Sequence, residues 1–279
     1  MKDTSVLANT RCLIKACKEL LIPYTFYDDN ENVIRISLDR DYFFVNSTTP
    51  FNDEALAKIY KDKEFTYRVV KDLIKTPRTV GFLDPECSPE HKSYVSFSSQ
   101  DQIVAQMESQ FAYPFVVKMN SGARGNNVFM CADQVKAREA LHSIYNKSSR
   151  YYDYIAIAQE RIAIVREFRI IVFQGEIVLT YEKDFSAATV KGNLSPLHQE
   201  NSKAALIDDS ALIQLFAQFI APLCEKISIG FAGLDIAIDD KGDLWLIEIN
   251  SKPGFGYFVR DNGDEPLVGM YKAIFNSLI

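Results

Sequence analysis

Asp235, Glu248 and Asn250 are the residues of this chain whose types and spacing could do chemistry. They stand in the runs FAGLDIAID and DLWLIEIN, on either side of Asp239-Asp240-Lys241-Gly242. The apolar runs flanking that turn predict a hairpin from Phe231 to Asn250. Side chains alternate along a strand, so Glu248 and Asn250 share a face. A turn of two or four residues pairs position 239 with 242, which puts Asp235 on the same face as Glu248, offset by one side-chain step. The neighbours Leu234, Ile236, Ile238, Leu246, Ile247 and Ile249 predict that both strands are largely buried. Two carboxylates in such a place need a cation or a basic residue beside them. Magnesium would suit, because it takes hard oxygens, usually one or two carboxylates, and completes its shell with phosphate and water. For the hairpin alone, acids at a solvent-facing strand end are an equal alternative.

A second segment, PFVVKMNSGARGNNVFM, delivers Lys118 on an apolar strand and then a loop containing Ser121, Gly122 and Gly125. Glycine lets backbone N–H groups approach phosphate closely and adopts positive φ, and Lys118 could meet a phosphate there. The pattern is neither GxxxxGK[ST] nor GxGxxG, and it leads into a strand rather than a helix. An ordinary glycine hairpin with a snorkelling lysine is the alternative.

The elements that must position these residues follow from periodicity and breakers. Residues 4–22 carry apolar positions at helical spacing, ended by Pro23, and strand-like runs follow at Tyr24–Tyr27, Val33–Leu38 and Asp41–Val45. A polar helix is expected from Asp53 to Ile74, then loop with at most one short strand over Gly81–Phe97. Helices are expected at Gln100–Gln110 and Asp133–Ile144, the latter capped near Asp133, with strands Phe115–Lys118 and Val128–Cys131 between them. Strands Tyr154–Glu160, Glu167–Phe173 and Glu176–Tyr181 come next, the last two joined by Gln174-Gly175. A long helix spans Ser210–Ile227, and a last one runs from about Pro266 to Ile279. Strands in runs with helices between them predict an α+β protein with antiparallel sheets.

Composition narrows the function classes. The chain has 279 residues, 47% hydrophobic and 24% charged, in the range of globular proteins. No run approaches the ~18 apolar residues that cross a bilayer, and Arg11, Lys15 and Lys18 interrupt any signal-like core, so a cytoplasmic protein without membrane attachment is expected. The five cysteines and three histidines are scattered, which suits neither a disulfide framework, a zinc site nor a histidine triad. A net charge of −6 argues against non-specific nucleic-acid binding.

Together and in this order, the lysine–glycine segment and the acidic hairpin resemble the ATP-grasp superfamily, from about Asp53 to Pro253. The resemblance implies an α+β ATP-grasp fold: two α/β subdomains with antiparallel sheets that clasp ATP, here residues 53–153 and 154–279. A small, truncated N-terminal α/β unit, residues 1–52, precedes them. Lys63, in KDKEFTYRVV before Thr76-Pro77-Arg78, looks like the first nucleotide lysine and Lys118 the second, with Ser121, Gly122 and Gly125 closing over the phosphates. AQERIAIVREFRIIV resembles the adenine-reading hinge, with Glu160, Arg161 and Ile162 at the base and Glu167 at the ribose. Asp235, Glu248 and Asn250 fall on the D-x(12)-E-x-N metal ligands. TVKGNLSP resembles a segment of the glutathione-synthetase-like and ribosomal-protein-modifying ligases, so Lys191 (where arginine is commoner) and Asn193 would face the phosphate in transfer. Arg169 resembles the arginine that these ligases point at an acyl-phosphate.

The implied activity is that of an ATP-dependent carboxylate–amine ligase, in the group that includes D-alanine–D-alanine ligase. ATP and magnesium, or manganese in its place, would be the cofactors. A carboxylate would attack the γ-phosphorus to give an acyl-phosphate, and an amine would then displace phosphate. Small-molecule or peptide acids and amines are the expected partners, and a homodimer is common among such ligases. By charge and position, Lys183, Lys252 and Arg260, with Gly254, are candidates to grip a substrate carboxylate; solvated cations are the alternative. A small-molecule phosphotransferase on the same scaffold, or a nucleotide-binding regulatory module without catalysis, are the competing functions. The N-terminal unit is shorter than that family usually carries. A small substrate, a partner that supplies a wall, or a peptide in an open cleft would each fit.

Overall fold

The computed structural model describes residues 7–122, 125–187, 197 and 200–279. Its N-terminal unit comprises helix α1 (Ala8–Glu19) and strands β1 (Tyr24–Phe26), β2 (Val33–Ser37) and β3 (Asp41–Val45), which form an antiparallel sheet in that order. Asp28 orders the turn before β2 by accepting from the backbone N–H of Asn32 and of Val33, at 2.8 and 2.7 Å.

Next come α2 (Glu54–Lys61) and α3 (Lys63–Val70), not the one helix expected over 53–74. The break is Asp62, whose side chain caps α3 by accepting from Phe65 N at 2.8 Å, as Asp53 caps α2 by accepting from Leu56 N. An aspartate that caps rather than continues is the reason for the split. It makes Lys63 the first residue of a helix.

A four-stranded antiparallel sheet follows, in the order β4 (Thr79–Leu83), β7 (Ile155–Gln159), β5 (Phe115–Met119), β6 (Val128–Cys131). β7 lies beyond the division expected at 153/154 yet pairs with both β4 and β5. Helices α4 (Gln100–Gln110) and α5 (Gln134–Ile144, capped by Asp133) bury Ile103, Val104, Met107, Ala137, Ala140 and Leu141 in this layer's core. Between β4 and α4, the segment expected as loop holds a short 3-10 helix, Pro89–Tyr94.

The third sheet has the order β10 (Lys203–Leu206), β9 (Glu176–Asp184), β8 (Ile164–Phe173), β11 (Phe231–Asp239), β12 (Leu244–Asn250), all antiparallel. The β8–β9 hairpin turns on Gln174 and Gly175 at φ +48° and +87°, the primed geometry that matches strand twist. One face of this sheet packs on α6 (Ser210–Lys226) and Tyr60 of α2. The other shares a core with the N-terminal unit and with α7 (Gly256–Asn262) and α8 (Glu265–Asn276). β10 and α7 had no clear sequence signal, being short and without strong periodicity.

The N-terminal unit is therefore fused to the last sheet rather than appended. Arg11–Asp264 at 2.7 Å, Lys15–Glu265 and Glu19–Lys272 at 3.0 Å run along the α1–α8 seam. Buried Asn9 donates to Pro253 O at 2.9 Å and accepts from Phe255 N at 3.2 Å, clamping the loop after β12. At the start of β11 the Asn52 amide accepts from Phe231 N and donates to Phe231 O. Gly230 lies against this segment so closely that an added Cβ would stand 1.9 Å from Phe51 O. Backbone cannot yield cheaply there, so Gly230→Ala should lower stability by about 1–3 kcal/mol in urea or guanidinium titrations. A change within a few tenths would show that this junction does not constrain the fold.

Candidate active site

The β11–β12 hairpin puts its acids together by a route the sequence did not show. Near the turn the register pairs Ile238 with Leu244, Ala237 with Trp245 and Ile236 with Leu246. Continued unchanged, it would oppose Asp235 to Ile247 and turn Glu248 to the other face. A bulge at Ile247 shifts the ladder, so Asp235 pairs directly with Glu248, Leu234 with Ile249 and Gly233 with Asn250. The expected one-step offset is thus corrected to direct opposition, and one extra residue re-aims the acid.

Across the sheet, Asp235 faces Arg169 on β8, and Arg169 faces Tyr181 on β9. Tyr181, Arg169, Asp235 and Glu248 therefore form one row over four strands. Arg169 grips Asp235 with two donors, Nε to Oδ1 and a terminal nitrogen to Oδ2 at 2.9 Å. Lys183, buried, bonds Asp235 at 2.8 Å and Glu167 on its other side. Burial alone would push the Asp235 carboxyl up, but Arg169 and Lys183 overcome it and hold the group below the usual carboxylate range. Burial likewise opposes the charge on Lys183, and Asp235 and Glu167 more than offset it, raising its pKa.

The facing layer supplies two more lysines. Lys63 Nζ lies 3.2 Å from Glu248 Oε1 and also donates to the carbonyls of Asn120 and Gly122. Lys118, 7% exposed, donates to Gln159 Oε1 at 2.9 Å, and the Gln159 amide donates to Thr79 at 2.8 Å. Desolvation, followed by repulsion from Lys63, pushes Lys118 down to about 8. Asn120 ties the two together: it accepts from Glu64 N at 2.9 Å, donates to Asp62 at 2.6 Å, and receives Lys63 N on its carbonyl. Asp153 anchors the glycine loop by accepting from Ser121 N at 2.7 Å. In that loop Gly125 has φ +69°, a conformation other residues resist. The sequence reading missed Asn120, Gln159 and Asp153, whose only signal is tertiary.

Lys63, Lys118, Gly122, Gly125, Glu167, Arg169, Lys183, Asp235, Glu248 and Asn250 all line one cleft of about 820 Å³. Lys252, Gly254 and Arg260 line its far end, with Leu7, Ala8 and Asn9 of the N-terminal unit. Lys252 is exposed, while Arg260 bonds Asp261 and the carbonyl of Ser202. Lys183 is not available as a free grip for a substrate carboxylate, nor Arg169 as an uncommitted arginine, since both are spent on Asp235. Glu160, Arg161 and Ile162 do not line this cleft; Glu160 instead pairs with the Arg78 backbone, accepting from its N–H at 2.7 Å and donating to its carbonyl at 3.0 Å. Lys191 and Asn193 lie outside the described residues.

Among the described residues no group of three His, Cys, Asp or Glu side chains could hold a metal. Glu248 and the Asn250 amide, with a remaining lone pair of Asp235 beyond its bonds to Arg169 and Lys183, fit a cation that draws its other oxygens from phosphate and water. The Asn250 Nδ2 is buried with no hydrogen-bond partner. Rotation of that amide by 180° would offer its oxygen to the same spot.

A sequence model described as the RimK-like ATP-grasp domain matches residues 88–266. A curated protein of Mycoplasma pneumoniae, the uncharacterized MG012 homolog, is 27% identical over 158 residues, 54% of this chain and 48% of its own. The chain thus matches about half the length of that relative. The VanG D-Ala:D-Ser ligase of Enterococcus faecalis is similar in structure, with a TM-score of 0.57 at 14% identity over 79% of this chain and 62% of its own. A bifunctional glutathione synthetase from Pasteurella multocida gives 0.54 at 13% identity, over 96% of this chain and 44% of its own. At such identities the likeness is one of fold.

The pairing of Asp235 has a consequence for stability. Asp235→Asn would leave a buried guanidinium and ammonium short of one negative charge, so about 3–5 kcal/mol should be lost at pH 7. The folded carboxyl titrates below its ordinary value, so its contribution is complete above about pH 4 and fades as pH falls through the folded pKa. The gap between wild type and variant in urea titrations should therefore narrow below about pH 4. A gap that stays constant to pH 2 would contradict the ion-paired state.

Proposed function

The chain belongs to the RimK-like ATP-grasp family, and from that membership we propose that it is an ATP-dependent carboxylate–amine ligase that works through an acyl-phosphate. The observation that carries this reading is the cleft itself, where Lys63 at the start of α3 and Lys118 on β5 face a row of paired acids and bases on the five-stranded sheet. Transfer of a phosphoryl group out of an anhydride needs that combination: cations to take up charge as it moves between oxygens, and a preset surface to hold them.

Lys63 and Lys118 bind and orient the phosphates, and the loop with Ser121, Gly122 and Gly125 covers them. Glu167, on the cleft wall, accepts from the ribose. Asp235, Glu248 and Asn250 would hold magnesium, which when bound supplies positive charge to the phosphate oxygens. Arg169, fixed by Asp235, keeps its guanidinium in the row where the acyl group would be activated. The carboxylate oxygen attacks the γ-phosphorus and ADP leaves; the amine then attacks the acyl carbon and gives up a proton to solvent, while the C–O bond breaks and phosphate departs with the former carboxylate oxygen. The far end of the cleft, with Lys252, Gly254 and Arg260, accepts the substrates, an amino acid, peptide or similar small acid and its amine partner. We place the hinge for adenine at Glu160–Ile162, beside the Arg78 backbone.

A screen of acid and amine pairs for ADP release, with mass spectrometry of products, tests the reaction. Free phosphate and an amide, formed only when both substrates are present, is the expected result. Phosphate retained on an alcohol would select a phosphotransferase, and nucleotide binding without turnover a regulatory module. In the active pair, Glu248→Gln should abolish turnover with the fold intact by circular dichroism; wild-type rates in that variant would remove the metal assignment.

Lys118 gives binding a pH dependence. Its ammonium is present below about 8 and lost above it, so the affinity for ADP should weaken as pH rises through that value, with a slope approaching one proton per nucleotide. Lys118→Arg, which stays charged throughout, should flatten the profile. Calorimetry between pH 7 and 9.5 reads both. A flat wild-type profile would contradict a Lys118 that titrates near 8 while contacting phosphate.

A further inference from the structure

Resting on the reading of the cleft as a nucleotide site, we propose that Lys63 is a shared counter-ion that makes metal and nucleotide entry mutually dependent. In the empty cleft it neutralises Glu248; an arriving phosphate takes it over, and Glu248 is released to the metal.

The argument begins with donor count. An ammonium has three donors; Lys63 hydrogen-bonds the carbonyls of Asn120 and Gly122 and faces Glu248 Oε1 as an ion pair at 3.2 Å. A phosphate oxygen that draws the ammonium to itself competes with one of these three partners. The carbonyls belong to the loop that would close on phosphate and are neutral. Glu248 is the anionic partner, so trading it for phosphate keeps the ammonium paired throughout.

The other charges in the cleft do not behave this way. Lys118 is held by the neutral amide of Gln159, so its engagement with phosphate frees no carboxylate. Asp235 is neutralised by Arg169 and Lys183, which stand on neighbouring strands of its own sheet, and Lys183 is only 5% exposed with Glu167 on its other side. Among the described residues, the Lys63–Glu248 pair is the ion pair that joins the two layers across the space a nucleotide would fill. Glu248 is also the acid that the bulge at Ile247 turns into this space. A free carboxylate there would bind a divalent cation without nucleotide; a carboxylate held by Lys63 binds it poorly. By linkage, whatever factor the phosphate contributes to metal affinity through this pair, the metal returns to the phosphate.

The test measures each ligand without the other. Manganese binding to nucleotide-free protein is read by calorimetry or electron paramagnetic resonance, and ADP binding in the presence of a chelator by calorimetry. Lys63→Met should tighten nucleotide-free manganese binding by about tenfold, a typical coupling, while Lys63→Arg leaves it weak. Lys118→Met, which removes an equal charge without a carboxylate partner, should change it by less than about threefold. In the reciprocal arm, Glu248→Gln should tighten metal-free ADP binding by a comparable factor. Thermal melts confirm folding, and if Lys63→Met does not fold, the Glu248→Gln arm decides alone. Equal effects of Lys63→Met and Lys118→Met, or no tightening in either arm, would overturn the exchange while leaving the nucleotide site standing. Failure of wild type to bind ADP with or without manganese would remove the nucleotide reading itself.

Discussion

Charge balance in a buried row governs this structure. Asp235 is 4% exposed, and an isolated carboxylate so placed would be expelled or protonated. It stays ionised because Arg169 takes both of its oxygens and Lys183 bonds one of them. Those partners come from β8 and β9, so the strand order β9-β8-β11-β12 is itself a condition for the site. Glu167 then balances the second of these two cations, Lys183. Such networks add little net stability but make partial disruption expensive. The sheet that carries them therefore has little freedom to shift register.

That rigidity is reinforced from outside the sheet. The N-terminal helix is bound to α8 by ion pairs along one seam, and Asn9 fastens the loop that leaves β12 directly after Asn250. Exposed ion pairs of this kind contribute little individually; the buried amide of Asn9 and the shared apolar core do more. The short N-terminal unit thereby acts as a wall and brace for the far end of the cleft.

Much of this was legible in the sequence, and the failures have identifiable causes. Most of the helices and strands were readable because their apolar positions repeat at helical or strand periods. Asp62 was read as helix interior, since nothing local separates an aspartate that caps from one that merely faces solvent. The hairpin acids were found, but Ile247 reads as one more apolar strand residue, and no pattern marks it as a bulge. Lys183 stands in the sequence as a candidate grip for a substrate carboxylate and Arg169 as the arginine of an acyl-phosphate site, because sequence gives a charge without its partner. Both bond Asp235, 66 residues from Arg169. Asn120 and Gln159 had no local signature at all: each acts by joining segments 41 to 80 residues apart.

The two acids of the hairpin face each other directly, yet they are held in different ways, and the difference follows from their strands. Asp235 lies on β11, with neighbours on both sides, so its counter-charges come from within the sheet. Glu248 lies on the edge strand β12, which has a sheet neighbour on one side only. Its partner must come from another layer, and α3 supplies Lys63 because Asp62 ends α2 one residue earlier. A bond between layers is the kind a ligand inserted between them can break, while bonds within a sheet are not exposed to it. Edge position, helix break and bulge thus combine to leave one carboxylate fixed and the other exchangeable.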